Sequence, residues 1–376
     1  MWVRTLRLSD FRNYEHLELE LGDGVNFFTG TNGSGKTSIL EAVSYLAVAR
    51  SLRGSNDSEV IRWGSSAFGV SGDIVSDASV RTSKLTYERG GRKEVTFDGE
   101  RRPLLSELVG VLRVAWFCPE DTWLTKGGPS ERRKLLDMTL CQLDPAYLSA
   151  LSNYRRTLRQ RNEALLSWAP EEESERLVGV WTERLVDYGS RVIAGRAALM
   201  PRMSESVGRF HEAIADGESI ALRYKCSTDK RAGNGADDAG PLSEEAARAS
   251  FQEALERVAA DERRRGFTLV GPHRDDLEVR LGGRTLRTFG SQGQHRTAAI
   301  ALKLGEAAVL DSDERGVVVL LDDIMSELDD RRAEALVELV AGLGQALMTS
   351  TRPSAAMEGV DGSVSFRVDA GGVTRQ

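Results

Sequence analysis

The chain has 376 residues, of which 40% are hydrophobic and 28% are charged, so it can bury a full core and form about two domains. Its formal net charge of −7 gives no general attraction to phosphate, and any DNA-binding surface must therefore be a local basic patch. Three cysteines without C-x-x-C spacing argue against a disulfide framework or a zinc site. No apolar run is long enough to span a bilayer, and Met1 to Arg4 leads into a predicted strand, so we expect a cytoplasmic protein with no membrane partner.

A glycine-rich loop near the start of the chain predicts a nucleotide site. The run Val25 to Thr29 predicts a buried strand before the loop, and apolar residues at helical spacing predict a helix after it. The loop itself, GTNGSGKT, satisfies G-x-x-x-x-G-K-[ST], in which backbone N–H groups and a lysine contact phosphates and a hydroxyl binds Mg²⁺. We therefore predict ATP and Mg²⁺ as cofactors and Thr37 as a metal ligand. The predicted nucleotide-binding residues are Gly30, Thr31, Asn32, Gly33, Ser34, Gly35, Lys36 and Thr37.

A helical region follows the strand-rich first third of the chain. From about Ser130 the apolar residues recur at helical spacing, and the polar stretch Ser227 to Gly240 predicts a loose surface loop. A helix from Glu244 to Arg265 is expected to lead into a strand at Phe267 to Val270. This order predicts an α/β ATPase head built from residues 1–118 and 266–376, with a helical lid domain, residues 119–265, inserted between the two parts.

Four arginines of the helical region lie within seven residues that include no acidic residue. On a helix, Arg155 and Arg159 share a face, and so do Arg156 and Arg159. Such a cluster is typical either of a solvated helix face or of a surface that contacts DNA phosphates. The candidate DNA-binding residues are Arg155, Arg156, Arg159 and Arg161.

The segment Gly271 to Asp276 (GPHRDD) combines a histidine with two aspartates. It lacks recognisable metal-ligand spacing and precedes a predicted strand, Leu277 to Leu281. We interpret it as a structural or ATP-proximal turn.

The motif SQGQ precedes a long predicted helix. A serine hydroxyl and a glycine N–H at a helix N-terminus can bind an anion, although an N-cap serine beside a flexible glycine is a common structural alternative. Because Lys36 already serves the bound nucleotide, a second phosphate site in the same subunit would be redundant. In ABC-type ATPases this signature contacts the γ-phosphate of ATP held by the opposite subunit. The motif therefore predicts an ATP-dependent homodimer whose signature residues, acting in trans, are Ser291, Gln292, Gly293 and Gln294.

A second strand motif completes the predicted ATPase site. The run Val317 to Leu321 has no polar alternation, which is typical of a strand buried on both faces of a parallel sheet. Carboxylates at the end of such a strand lie at the ligand-binding edge of the sheet. We predict Asp322 as a Mg²⁺ ligand acting through water and Asp323 as the catalytic residue that orients or deprotonates the attacking water.

An ordered series of motifs allows a resemblance to be stated. The stretches are LRLSDFRNYE (6–15), the glycine-rich loop, RSLRGSNDSEVIRWG (50–64), FCPEDTWLTKGGPSERRKLLD (117–137), GPHRDDLEV (271–279) and SQGQHRTAAIALKLGEA (291–307). Over nearly its whole length the chain resembles the RecF family of bacterial recombination mediators, which are related to the heads of SMC proteins. His295 departs from the family's Q-Q-R-T after the signature glycine.

The resemblance implies an ABC-type P-loop ATPase head with an inserted helical lid. It also implies an ATP-dependent DNA-binding protein of recombinational repair, acting in DNA replication, DNA damage and the SOS response. Such a protein dimerises on ATP, binds single-stranded DNA or single-strand/double-strand junctions, and helps load recombinase at damaged forks with a RecR-type mediator. Because aspartate is shorter than the glutamate usual in fast ABC enzymes, slow ATP hydrolysis that acts as a switch is expected.

Two other classes of protein remain as alternatives. An ABC-type ATPase subunit of a transporter would need a transmembrane partner, a histidine switch and a much shorter distance between the P-loop and the signature. Thr349-Ser350-Thr351 stands where that histidine would be. A small-molecule kinase would use the P-loop but would have no use for the signature.

Overall fold

A computed structural model of the chain describes residues 1–76, 79–102, 105–167, 171–215, 217–228, 242–313, 315–352, 357 and 359–376. Most of the predicted surface loop, residues 229–240, lies outside this part of the chain. The strands are, in chain order, β1 Trp2–Phe11, β2 Tyr14–Glu20, β3 Val25–Thr29, β4 Ala67–Ser76, β5 Ser79–Glu88, β6 Glu94–Phe97, β7 Glu100–Arg102, β8 Val114–Phe117, β9 Ile220–Lys225, β10 Asp276–Leu281, β11 Arg284–Thr285, β12 Val318–Asp322, β13 Ala346–Ser350, β14 Val364–Asp369 and β15 Gly372–Arg375. The helices are α1 Lys36–Val48, α2 Asp57–Val60, α3 Trp123–Lys126, α4 Pro129–Leu143, α5 Pro145–Leu165, α6 Glu171–Ile214, α7 Glu244–Arg265, α8 Leu286–Phe289, α9 Gln292–Leu310 and α10 Asp330–Ala341.

The chain divides into two compact units. The first unit comprises Met1–Asp121, Arg209–Asp216 and Ala299–Gln376, and the second comprises Thr122–Gly208 and Gly217–Ala298. The predicted domain boundaries stay a prediction. They differ from these units in residues 266–298, which group with the helical unit and include β10, the partner of β9, and in residues 119–121 and 209–216, which group with the first unit.

A six-stranded sheet of the first unit carries the nucleotide motifs. Its strand order is β15-β14-β3-β13-β12-β8, in which β14, β3, β13, β12 and β8 are parallel to one another and β15 is antiparallel to β14. Residues of β12 and β13 are buried throughout, as expected for strands covered on both faces. The predicted strands at Val25 to Thr29 and Val317 to Leu321 are confirmed as β3 and β12. Because these strands are parallel, the P-loop after β3 and the aspartates at the end of β12 lie at the same edge.

A second six-stranded sheet of this unit is antiparallel, with the order β2-β1-β4-β5-β6-β7. It packs against α1, the helix that follows the P-loop. Phe11 of β1, Tyr45 of α1 and Phe68 of β4 form three edge-to-face ring contacts, with centroids 5.3, 5.4 and 5.7 Å apart. These buried aromatic contacts fix the helix that presents the P-loop.

The second unit contains the predicted helices, with a small sheet of order β11-β10-β9. The predicted helix from Glu244 to Arg265 is confirmed as α7, and the predicted strand at Leu277 to Leu281 is confirmed as part of β10. The predicted strand at Phe267 to Val270 is wrong, since this segment pairs with no strand. Its backbone donors bind side chains instead: Thr268 N donates to Asn162 Oδ1 at 2.9 Å, and Leu269 N donates to Glu262 Oε1 at 2.7 Å.

Candidate functional site

The P-loop runs between β3 and α1 in a conformation that needs glycine. Gly35 has a φ of 114°, and a Cβ there would lie 2.5 Å from Asn13 Nδ2 and 2.6 Å from the Tyr14 hydroxyl. A Cβ on Gly30 would lie 2.2 Å from the carbonyl oxygen of Val368. Asn13 Nδ2 also donates to the Ser34 carbonyl at 3.0 Å, which holds the loop from outside. The glycines therefore permit a tight loop that larger residues would open.

Lys36 folds over the loop that it follows. Its Nζ donates to the carbonyl oxygens of Gly30 and Thr31 at 2.6 and 2.8 Å. Burial lowers the pKa of Lys36, and the charges of Asp323 and Asp322 oppose that effect. The ammonium thus lies between the loop and the acidic end of β12.

Thr37 joins the P-loop to the end of β12. Its Oγ1 donates to Asp322 Oδ1 at 2.7 Å, and Thr349 Oγ1 donates to the same oxygen at 3.0 Å. Burial raises the pKa of Asp322, an effect opposed by the two hydroxyl hydrogen bonds and by the charge of Arg53. Hydroxyl and carboxylate oxygens are brought together here from positions 285 residues apart in the chain.

Asp323 follows in a different backbone conformation. Its φ of 53° lies in the left-handed region, and its N–H donates to Thr349 Oγ1 at 2.9 Å. Asp323 Oδ1 is buried and has no hydrogen-bond partner among the described residues. The buried hydroxyl of Ser34 in the P-loop is in the same situation. Two buried polar atoms of this site therefore have no hydrogen-bond partner among the described protein atoms.

A cavity of about 610 Å³ contains these groups, all within the first unit. P-loop residues, Asp322, Asp323 and Thr349 line part of it. Arg12 and Asn13, between β1 and β2, and four residues that follow α1 complete the wall; those four are Arg53, Glu59, Ile61 and Trp63. Trp63 is 97% exposed. No sequence pattern predicts a role for these six residues, although all of them lie in LRLSDFRNYE and RSLRGSNDSEVIRWG, two of the stretches that carry the family resemblance.

The residues of the cavity fit both predicted cofactors. A tight glycine loop at the start of a 13-residue helix, with a lysine directed back at it, suits a phosphate group. Mg²⁺ is commonly held by one or two protein oxygens together with substrate phosphates. The Oγ1 of Thr37 and the Oδ1 of Asp322 form such an oxygen pair.

The signature residues begin α9 in the second unit. Ser291 N donates to Gln294 Oε1 at 2.7 Å, and Gln294 N donates to Ser291 Oγ at 3.2 Å, so the two side chains cap the helix reciprocally. Ser291, Gln292 and Gly293 are exposed, whereas Gln294 is half-buried and donates to Glu218 Oε2 at 2.6 Å. Ser291 thus has the N-cap role of the structural alternative. Because Ser291 and Gly293 are exposed, the N-terminus of the helix is also accessible.

The candidate DNA-binding arginines do not share one environment. Arg155, Arg156 and Arg159 are exposed on α5, and Arg155 pairs with Asp137 at 3.0 Å. The side chain of Arg161 is only 4% exposed and pairs with Glu262 at 2.7 Å. It also donates to the hydroxyls of Thr182 and Thr268. This burial argues against Arg161 as a DNA contact, because its donors already bind protein groups.

The GPHRDD segment forms a hydrogen-bonded turn. His273 Nδ1 lies 2.6 Å from the Tyr154 hydroxyl, and Nε2 lies 3.2 Å from the Thr268 carbonyl oxygen. Burial lowers the pKa of His273 to about 4. Both ring nitrogens are engaged by protein groups, which supports the structural interpretation of this turn.

Comparison with known proteins places the chain in a family. The family model described as "RecF/RecN/SMC N terminal domain" matches residues 2–374. The DNA replication and repair protein RecF of Bacillus subtilis (strain 168) is 35% identical, with 100% of each chain covered. The chain belongs to the RecF family. This membership confirms the resemblance drawn from the ordered motifs.

Solved structures agree with the RecF assignment. The recombination mediator protein RecF with ATP, in the RecFOR pathway, is similar at a TM-score of 0.89 and 32% identity, covering 100% of this chain and 97% of that one. An Smc head bound to the C-winged helix domain of ScpA matches at a TM-score of 0.58 and 14% identity, covering 100% and 97%, which shows a shared fold. The predicted ABC-type ATPase fold is confirmed, and RecF proteins form an ATP-binding family of this type. The transporter alternative finds no support in these relatives. In the part of the chain that the structure describes, no helix is both long and apolar enough to cross a membrane.

Proposed function

We propose that this RecF-family chain is an ATP-dependent DNA-binding protein of recombinational DNA repair. It dimerises on ATP in the cytoplasm, binds single-stranded DNA or single-strand/double-strand junctions, and helps load recombinase at damaged replication forks during the SOS response. A RecR-type mediator is its protein partner. The relatives named above support the repair role, and the hydrogen bond from Thr37 to Asp322 is the observation that carries the ATPase role.

ATP binding follows from the geometry of the P-loop. Backbone N–H groups of residues 30–37 surround the phosphates, and Lys36 Nζ exchanges its carbonyl partners for phosphate oxygens, which bind an ammonium more strongly. Thr37, and Asp322 through water, would hold Mg²⁺, which would supply positive charge to the phosphate oxygens. Arg53, which also lines the cavity, contributes a further cation.

Hydrolysis depends on Asp323 in this proposal. Its buried Oδ1 lacks a protein partner among the described residues and accepts a hydrogen bond from the attacking water, which it orients or deprotonates. Thr349 fixes the backbone of Asp323 through its N–H. Because the aspartate side chain reaches less far than a glutamate, turnover is slow and the bound state persists long enough to act as a switch.

The signature acts on the nucleotide of a second subunit. The exposed Ser291 and Gly293 stand at the N-terminus of the 19-residue helix α9, where the helix dipole favours an anion. Each of two copies then completes the site of the other, and ATP holds the dimer together. DNA is bound by the exposed arginines Arg155, Arg156 and Arg159.

The experiment that tests the nucleotide site compares Lys36→Ala with Lys84→Ala. Lys84 is an exposed residue of β5 in the same unit and serves as the matched control for removal of a lysine. We expect Lys36→Ala to weaken ATP binding by roughly 100-fold, since the variant has no ammonium to pair with phosphate, while Lys84→Ala binds normally. Titration with a fluorescent ATP analogue measures both constants. Normal affinity in Lys36→Ala would refute the P-loop assignment.

A further inference from the structure

The segment Arg50–Trp63, here called the wall segment, connects α1 with β4 and forms one side of the cavity. Arg53, near its start, and Trp63, at its end, both line the cavity. Arg53 is exposed and lines the same cavity as Lys36, Asp322 and Asp323. The position of Arg53 in the cavity wall therefore depends on how the wall segment is held.

Both ends of the wall segment are fixed by hydrogen bonds. At its start, Ser51 Oγ donates to Glu41 Oε1 at 2.6 Å. At its end, Arg12 N donates to the Val60 carbonyl at 2.7 Å, and Arg62 N donates to the Asp10 carbonyl at 2.7 Å. Arg12 also binds the middle of the segment through the Ser55 hydroxyl at 2.7 Å.

Lys93 holds the part of the chain that carries Arg53. It lies between β5 and β6, and its side chain is only 13% exposed. Its Nζ donates to the carbonyl oxygen of Ala49 at 2.6 Å and pairs with Asp57 Oδ1 at 2.8 Å. Ala49 ends α1 in the left-handed conformation, with a φ of 54°, so Lys93 also places a positive charge at the C-terminus of the P-loop helix.

Tyr45 completes the environment of the ammonium. The Tyr45 hydroxyl donates to Asp57 Oδ1 at 3.0 Å, and Lys93 Nζ lies 5.7 Å from the centroid of the Tyr45 ring. One ammonium thus joins residues 49 and 57, which lie four positions before and four positions after Arg53. The loop that presents Arg53 is closed at its base by Lys93.

We propose that Lys93 is a positioning residue for nucleotide binding, which acts by holding Arg53 at the phosphate side of the cavity. A loop that is already closed loses less conformational entropy when Arg53 binds a phosphate, so the interaction adds more to affinity. The inference rests on the proposed function only in that ATP binds the P-loop. It requires neither dimerisation nor DNA binding.

The test measures the dissociation constant of a fluorescent ATP analogue at a protein concentration that keeps the chain monomeric. Lys93→Met keeps an unbranched apolar side chain and removes the charge, and Lys84→Met is the matched control on β5. We expect roughly tenfold weaker binding in Lys93→Met, normal binding in Lys84→Met, and recovery of most of the affinity in Lys93→Arg. Asp57→Asn removes the ion pair from the other side and is expected to resemble Lys93→Met.

A double-mutant cycle with Arg53→Ala separates positioning from general destabilisation. If Lys93 acts through Arg53, Lys93→Met has little further effect on ATP binding in the Arg53→Ala background. An equal decrease in affinity in both backgrounds would overturn the inference, and so would wild-type affinity in Lys93→Met and Asp57→Asn. Lys36→Ala distinguishes failure of this inference from failure of the proposed nucleotide site. If Lys36→Ala fails to bind ATP while Lys93→Met binds ATP normally, only the positioning role of Lys93 is refuted. If Lys36→Ala binds ATP normally, the nucleotide site and the inference fail together.

Discussion

Two adjacent aspartates at the end of β12 have different surroundings. Asp322 Oδ1 accepts hydrogen bonds from the hydroxyls of Thr37 and Thr349, whereas Asp323 Oδ1 is buried without a partner among the described residues. The two residues also differ in backbone conformation, because Asp323, with a φ of 53°, is left-handed and Asp322 is the last residue of the strand. The first carboxylate therefore suits a metal ligand, and the second suits a group that binds a water.

Asp323→Asn tests this division at the residue scale. Asparagine tolerates a positive φ, so the fold and ATP affinity are expected to be retained, while the hydrolysis rate falls by roughly 100-fold or more because the amide cannot accept a proton. Single-turnover phosphate release measures the rate. Asp98→Asn is the control, since Asp98 has a φ of 51° in an exposed turn. Wild-type turnover in Asp323→Asn would assign the water-orienting role to another residue.

At the residue scale, side-chain contacts that form only in the folded chain could not be predicted from the sequence. The P-loop and the two aspartates follow from local patterns, because the glycines and the end of an apolar strand are recognisable in sequence. The burial of Arg161 against Glu262 joins residues 101 positions apart, and no local pattern indicates it. The same is true of Arg53 and Trp63, whose place in the cavity depends on the course of the wall segment.

At the scale of elements, β3, α1, β12 and α9 could be predicted because each has an uninterrupted apolar pattern of one period. The strand expected at Phe267 to Val270 could not be distinguished from a loop by pattern, since side chains of Asn162 and Glu262 satisfy its backbone. The strand pairing of the antiparallel sheet could not be predicted, because the spacing of short strands along the chain does not specify which of them pair. Secondary structure was thus more predictable than the packing between elements.

The turn after α7 gives a prediction about pH. The folded chain holds His273 neutral down to about pH 4, against an ordinary pKa of 6.5. Below pH 6.5 the unfolded chain therefore binds a proton that the folded chain does not, and the stability due to this group falls as the pH drops towards 4. Its slope is at most about 1.4 kcal/mol per pH unit.

His273→Gln is expected to flatten the pH dependence of the unfolding free energy between pH 6.5 and 4, because glutamine does not titrate. Chemical denaturation across this range measures the difference from the unmutated chain. His16→Gln, at an exposed position, controls for the substitution itself. Identical slopes in the unmutated and His273→Gln chains would contradict the burial of a neutral His273.

Helix α5 gives a prediction about DNA. Replacing Arg156 and Arg159 with alanine removes two exposed positive charges, so DNA binding is expected to weaken uniformly across sequences. The slope of log K against log salt should flatten by about 2, because each arginine–phosphate interaction accounts for about 1. Arg264→Ala removes an exposed arginine of α7 as a control. An unchanged slope would make this face of α5 ordinary solvated surface.

At the scale of the whole molecule, the two ends of the chain and the short segment Arg209–Asp216 form one unit, and the rest of the middle forms the other. The nucleotide motifs stand far apart around a helical region, which predicts a head of two parts with an inserted lid, and the boundaries of these domains stay a prediction. The formal net charge of −7 is compatible with DNA binding only through local surfaces, such as the exposed arginines of α5. In the proposed homodimer, the P-loop of one copy and the signature of the other would act on the same nucleotide.

The state of association with ATP tests this central claim most directly. Ser291→Asp keeps an N-cap residue on α9 but places a negative charge where the partner's γ-phosphate would bind, and Ser291→Asn is its neutral isosteric control. Sedimentation velocity with a non-hydrolysable ATP analogue compares the variants. We predict that the unmutated chain dimerises, that Ser291→Asn dimerises at least in part, and that Ser291→Asp stays monomeric while each monomer still binds the nucleotide. A Ser291→Asp chain that dimerises like the unmutated one, or a monomer that no longer binds ATP, would contradict a signature acting in trans.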